Sequence, residues 1–388
     1  MTPLDRLAPR FAGDSLLNLA ASIGQALGHA PRHATLADAR VHERIVAAPT
    51  LVVWLIDGLG VEPLQALVPR GALAAQLAGE AQALFPSSTA PTLTTLTTGL
   101  SVTEHGVPEW FLHFDELGAV YRALPLDPRD PAAKAQRLAD AGQVYDWRSA
   151  FANAQRPVVT VQPARLVSSA YSRRAHEGAQ SLGYVGDEAL VTTVLEAVDG
   201  PGRGGVVYVY EDRFDQTCHA KGVASPEAER MARRLDAVFM RLAEALRARG
   251  ATLLVTADHG FIDPPAELVF RLEDHPRLAA CLARPLCGGP RVPLVHVRAG
   301  RERDFEEAAG AVLGAHFACV PAGALVERGW FGPGEPHPRL PARLGDYVLV
   351  PTSAAVLVDR LPAEPPWAEI GVHGGCTPAE RRVPLILS

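Results

Sequence analysis

Four places in the chain set an aspartate, a histidine or a hydroxyl at an end of an apolar run, and a fifth sets a histidine among glycines. Asp57 closes "TLVVWLID" ahead of Gly58 and Gly60, which by itself is ordinary turn chemistry. In "LFPSSTAPTLTTLTTGL", residues 84–100, Pro91 suits the first turn of a helix that runs to Gly99. Thr89 then sits where free N–H groups and the helix dipole favour a negative oxygen, although a plain capping role fits the same position equally well. In "YVYEDRFDQTCHAKG", Asp215 and His219 are four apart, so one helical turn presents both to a single cation. Glu211 and Asp212 nearby suit solvent or a pairing with Arg213. "LLVTADHGF" places Asp258 and His259 at the end of a strand expected to be fully buried, which packing alone does not explain. In "EIGVHGGCTPAERRVPLIL", Gly374 and Gly375 let the backbone beside His373 approach a ligand closely.

Taken jointly, Asp57, Thr89, Asp215, His219, Asp258, His259 and His373 are three carboxylates, three imidazoles and one hydroxyl. That set matches the needs of two divalent cations, zinc first and manganese second, with an oxygen nucleophile on one of them. A threonine hydroxyl is a poor nucleophile near neutral pH. A bound dication stabilises its alkoxide by the effect that lowers the pKa of zinc-bound water to about 7.

Such residues must be held by rigid elements. The β-branched runs at 50–57, 157–163, 205–212, 251–258 and 383–388 alternate with helical patterns, which predicts an α/β fold with a largely parallel sheet and helices on both faces. One outer helix is well marked, with Ser225 as N-cap, Pro226 at its first position and Gly250 beyond its end. Residues 265–345 are richer in Pro, Gly and Arg and contain a strand–helix–strand unit in "RVPLVHVRAGRERDFEEAAGAVLGAHFACV". They are expected to form a small inserted cap-like subdomain, with 1–264 and 346–388 making the catalytic core. The stretch 119–150, including "LPLDPRDPAAKAQRL", reads as a surface connection and a helix that borders the site.

The bulk numbers fit this picture. The 388 residues, 48% hydrophobic, support a large core. The 37 basic and 43 acidic residues give a net charge of −6 with no basic block, so neither a nucleic-acid groove nor a long anion-binding surface is expected. Five scattered cysteines, an N-terminal stretch without an apolar h-region and no run of about 18 apolar residues lead to the expectation of a cytoplasmic protein without membrane association.

The order of motifs from about residue 50 to 388 resembles the alkaline phosphatase superfamily, and within it the type I phosphodiesterase/nucleotide pyrophosphatase family. "FPSSTAP" resembles that family's nucleophile segment, "TTGLSVTEHGV" its V-T-G-L…H-G-I segment, "DQTCHAKG" its D-x-x-x-H-x-x-G, "TADHG" its S-D-H-G and "GVHGG" its last histidine motif. The resemblance implies a three-layer αβα sandwich and hydrolysis of a nucleotide-like phosphate ester. It implies that Thr89 is the nucleophile, that Asp215, His219 and His373 hold one metal, and that Asp57, Asp258, His259 and the Thr89 oxygen hold the other. His105 would be structural support. Attack by Thr89 and hydrolysis of the resulting ester would give net retention at phosphorus.

The chain departs from the family pattern at three places. Ala90 stands where an aromatic usually follows the nucleophile, Thr92 where an Asn is usual, and Glu109 and Trp110 near another Asn that helps hold a phosphate oxygen. Tyr210, five before Asp215, matches a base-stacking position and fits a buried strand residue equally well. The ending "HGGCTPAERRVPLI" is also similar to the PglZ branch of the superfamily. Rival readings are a phosphomonoesterase of the same fold and a non-catalytic module retaining it. A mutase would want Ser and a second basic phosphate site, and a sulfatase would want Arg where "CVPAG" has Gly323.

Overall fold

The computed structural model describes residues 3–132 and 137–388. Its centre is a seven-stranded sheet in the order Leu77–Gln82, Arg382–Leu387, Thr252–Thr256, Leu51–Ile56, Val206–Glu211, Val158–Pro163, Gln180–Tyr184. Arg382–Leu387 runs antiparallel to both neighbours, and the other observed pairings are parallel. The strands Leu51–Ile56, Val206–Glu211 and Val158–Pro163 are buried along their whole length, as runs rich in Val, Ile and Leu demand. The edge strands "LAGEAQ" and "QSLGY" alternate or lack branched residues and carry no such signal.

Helices surround this sheet. Pro226–Arg247 starts with the Ser225 side chain accepting from the Ala228 N–H, and it packs against Gly186–Asp199. Leu16–Ala26 packs against the Thr89–Thr98 helix. The mixed α/β sandwich is therefore the expected one.

A second, six-stranded antiparallel sheet has the order Phe317–Pro321, Tyr347–Pro351, Pro293–Val295, Cys287–Gly288, Phe111–Phe114, Ala119–Arg122. The expected strand–helix–strand unit is Pro293–Val295, Glu302–Leu313 and Phe317–Pro321. Its two strands pair with Tyr347–Pro351, which lies between them and beyond residue 345. The hairpin 111–122 extends the same sheet toward the core. A separate apolar cluster containing Leu278, Phe305, Leu313, Leu349 and Leu357 fills this lobe. The helix expected in "PAAKAQRL" falls partly on 133–136, outside the described residues.

Parallel register sets the site. Ile56 pairs with Glu211 and Leu55 with Thr256, so the residues that follow these strand ends emerge side by side at one edge of the sheet. Those residues are Asp57, Asp212 and the Ala257–His259 turn, and open α/β sheets bind ligands along this edge.

Candidate active site

All seven of the expected ligand and nucleophile residues converge at that edge. Asp57, Asp258 and His259 form one group, and Asp215, His219 and His373 another, with ligand atoms within 4.8 Å of one another inside each. The groups adjoin: the rings of His259 and His373 stack with centroids 3.5 Å apart. Thr89 is the first residue of the Thr89–Thr98 helix and not the residue just before it, because Ser88 takes the N-cap position, and Pro91 lies in the first turn as expected. Its Oγ1 lies 3.2 Å from His259 Nε2 and 3.5 Å from Asp57 Oδ1.

The histidine tautomers follow from the backbone. Each Nδ1–H donates to a carbonyl: His219 to Gly371 at 2.9 Å, His259 to Gly260 at 3.1 Å and His373 to Ser87 at 3.1 Å. All three Nε2 atoms then face the carboxylates. His219 Nε2 is 3.3 Å from Asp215 Oδ1, and His259 Nε2 is 3.3 Å from Asp258 Oδ2. Those two carboxylate oxygens are buried and accept no hydrogen bond from the described residues. An acceptor facing an acceptor in a buried place is repulsive unless a metal ion, or at His219 a proton on Nε2, stands between them. The residues present therefore fit divalent ions, and the carbonyls that fix each ring are the usual outer support of a metal-bound histidine.

Electrostatics point the same way. Burial, with Asp258 and Asp215 beside it, raises the Asp57 carboxyl well above its ordinary range, and burial raises Asp258 as well. Burial also works against the charge of Asp215, but His219, His373 and His259 overcome it and hold that carboxyl at about 2. Burial lowers His259 to about 4 and His373 to about 3, so both rings are neutral and ready to ligate. His219 differs: burial lowers it, yet Asp215 and Glu369 outweigh this and bring it to about 9. A proton therefore competes with a metal at His219.

A family model described as type I phosphodiesterase / nucleotide pyrophosphatase matches residues 51–351. The chain belongs to that family. It is thus a hydrolase acting on phosphodiester bonds, of a divalent-metal-dependent class. No curated protein matches the sequence. Among solved structures, an inactive variant of murine ectonucleotide pyrophosphatase/phosphodiesterase 5 in complex with AMP is similar at 18% identity and TM-score 0.65, covering 87% of each chain. The murine protein itself (17%, 0.62) and its human counterpart (16%, 0.64) match over the same shares. These likenesses show the alkaline phosphatase-like fold.

Two cavities meet at Thr89 in this phosphodiesterase-family chain. One, of about 440 Å³, has Asp215, His219 and His373 at its base and Trp110, Phe111, Arg129 and Trp367 on its walls. The other, of about 370 Å³, has Asp57 at its base and is walled by Tyr171, Tyr208, Tyr210 and Arg165. Thr89, Trp110 and Asp215 border both. The hairpin in 111–122 and residues Leu124, Pro125 and Arg137 contribute walls, so the 119–150 stretch does border the site.

The remaining sequence candidates have clear places. Tyr210 lies in the second cavity with its hydroxyl donating to Asp57 Oδ2, so it orients a carboxylate as well as presenting a ring. Glu109 is buried, accepting from Ser88 Oγ at 3.1 Å and from the Trp110 N–H. Burial raises it to about 7 despite those bonds. Asp212 pairs with Arg165, while Glu211 is fully buried and pairs with Arg213. His105 supports the Thr helix, its Nε2 lying 3.1 Å from Thr95 Oγ1 and its Nδ1 accepting from Val107 N–H. Thr94, Thr97 and Thr98 bond back to carbonyls of the same helix. Residues that no motif announced are Tyr171, Tyr208, Arg129 and Trp367, whose roles come only from where the chain places them.

Proposed function

We propose that this chain hydrolyses phosphodiesters or pyrophosphates of nucleotide-like molecules, with Thr89 as nucleophile and two divalent cations, zinc first and manganese second, held by Asp57, Asp258 and His259 and by Asp215, His219 and His373. The observation that carries the reading is the position of Thr89 Oγ1, 3.2 Å from His259 Nε2 and 3.5 Å from Asp57 Oδ1, two residues of one ligand group. When bound, the cations would supply Lewis-acid stabilisation of negative charge on the attacking and phosphoryl oxygens.

Thr89 forms the new P–O bond as the ester oxygen departs, and water then cleaves the Thr89 ester. Thr89 is at the first helical position, the end where helix N–H groups lack intrahelical partners, which favours the negative form of its oxygen. The Nδ1 bonds to Gly260, Ser87 and Gly371 keep the three rings aimed at the site. Two cavities meeting at Thr89 give room for a substituent on each side of phosphorus, which favours a diester over a monoester. The aromatic walls suit planar rings, and the AMP bound to the murine neighbour supports a nucleotide. Residues 265–345, with the strands that complete their sheet, form the proposed cap beside the first cavity. The five unpaired thiols support a reducing, cytoplasmic compartment, and no helix among the described residues is long and apolar enough to cross a membrane.

The test compares hydrolysis of bis-p-nitrophenyl phosphate with that of p-nitrophenyl phosphate, before and after chelation. Faster diester cleavage that is abolished by chelator and restored by zinc or manganese is expected. A monoester preference, or activity indifferent to chelation, would overturn the assignment.

A further inference from the structure

The last histidine motif rests on an ion pair that reaches in from the second lobe. Arg291 precedes the Pro293–Val295 strand, and its side chain is fully buried against Glu380, also fully buried. The contact is a two-pronged fork, Nε to Oε1 at 2.7 Å and Nη2 to Oε2 at 3.0 Å, while Nη1 donates to the carbonyl of Ala355. Arg291 thereby ties two segments of the second lobe to a residue of the core.

Glu380 in turn holds both metal groups. Its Oε1 accepts from the Gly375 N–H at 2.8 Å, and its Oε2 from the Thr377 N–H and hydroxyl, which fixes the loop that carries His373. Its backbone carbonyl accepts from the Gly260 N–H at 2.9 Å, and Gly260 supplies the carbonyl that orients His259. The loop lies flat on the pair. A Cβ at Gly375 would stand 2.6 Å from Arg291 Nη2 and 2.7 Å from either Glu380 carboxylate oxygen, and one at Gly260 would stand 2.0 Å from the Ala379 carbonyl. The same loop is stitched to the nucleophile segment, since Ser87 N–H donates to the Gly374 carbonyl and Ser87 Oγ to that of Gly375.

A buried ion pair is weak evidence for stability in itself, because desolvation offsets much of its attraction. Its better-attested use is to fix one arrangement among several. We propose that Arg291 is a positioning residue: through Glu380 it sets the placement of His373, and secondarily of His259, so that the second lobe governs how well the Asp215–His219–His373 group holds its cation. This rests on the metal reading given above. It assigns a role to a residue outside the two ligand groups. Arg291 touches neither Thr89 nor the carboxylates, so its influence runs through backbone placement.

The test uses the full chain as wild type, Arg291→Lys and Arg291→Met, each loaded with zinc, dialysed against a graded series of chelator concentrations and assayed for bound metal per chain. Circular dichroism and thermal midpoints of the metal-free proteins are measured in parallel. Arg291→Lys keeps a positive charge opposite Glu380 and loses the fork, whereas Arg291→Met leaves that buried carboxylate unpaired. The expected result is that wild type binds two zinc ions. Arg291→Lys should release one of them at a free-zinc level about tenfold higher than wild type or more, while the other is retained as tightly as before. Replacing zinc with cobalt should change the visible absorption of one site only. If wild type binds two ions and Arg291→Lys holds both with unchanged affinity and spectra, the positioning role is overturned. If wild type binds none, it is the metal reading that fails, and this inference with it.

Discussion

The imidazoles of His259 and His373 stack with centroids 3.5 Å apart and planes within 9° of parallel, although one follows a central strand and the other a loop near the end of the sequence. Each belongs to a different ligand group, so the stack is the seam between the two groups. Two rings this close cannot both carry charge. Burial and their mutual proximity hold His373 at about 3, and burial chiefly holds His259 at about 4.

That stack has a pH signature in the metal-free protein. A ring whose folded pKa lies below its unfolded value of about 6.5 leaves the unfolded state binding the extra proton as pH falls below 6.5. Folding is penalised there by up to about 1.4 kcal/mol per pH unit per ring. Removing the ring removes the penalty. Metal-free His373→Gln, compared with wild type by urea unfolding, should therefore gain relative stability between pH 7 and pH 5. A stability difference independent of pH would contradict neutral, stacked rings.

The three clustered carboxylates predict an opposite effect of metal on one variant. Asp258 Oδ1 accepts from the Gly58 and His259 N–H groups at 2.9 and 3.0 Å, and an Asn there keeps that acceptor. Asp258→Asn should lose zinc from the Asp57 group and with it the rise in thermal midpoint that bound metal confers. Without metal the same variant should melt at or above the wild-type temperature, because repulsion among Asp57, Asp215 and Asp258 is relieved. Differential scanning calorimetry with and without chelator checks both halves.

Much of this was visible in the sequence because buried parallel strands announce themselves as unbroken branched runs, and their ends must carry whatever chemistry the edge performs. Asp258 with His259 and Asp215 with His219 were legible for that reason, as was the Ser225–Pro226 helix start. The edge strands Leu77–Gln82 and Gln180–Tyr184 were not, since solvent on one side lets polar residues in. The role of Ser88 as N-cap was hidden among neighbouring hydroxyls. Tyr210 showed a ring but not its bond to Asp57, and Arg291 showed nothing, because its partner Glu380 comes from a distant part of the chain and no local pattern connects them.

Tyr210 should act through its hydroxyl as well as its ring. That hydroxyl donates to Asp57 Oδ2, leaving Oδ1 facing Thr89 and His259. Tyr210→Phe keeps the ring and should weaken zinc at the Asp57 group by about 10- to 100-fold, with kcat falling more than KM rises. An increase in KM alone would assign Tyr210 to ring stacking.

The Thr89 side chain should dominate turnover without supporting the fold. Thr89→Ala should lower kcat toward bis-p-nitrophenyl phosphate by about 10³-fold or more while metal content and thermal midpoint stay near wild type. Thr89→Ser, which restores a hydroxyl at the same place, should recover a measurable part. Wild-type rates in Thr89→Ala would remove the nucleophile assignment.

The most direct measurement is anomalous diffraction at the zinc edge from crystals of the protein grown with zinc and vanadate. The account predicts two zinc peaks, one among Asp57, Asp258 and His259 and one among Asp215, His219 and His373, with vanadium bonded to Thr89 Oγ1 between the two cavities. Zinc peaks elsewhere, or vanadate bound away from Thr89, would contradict it.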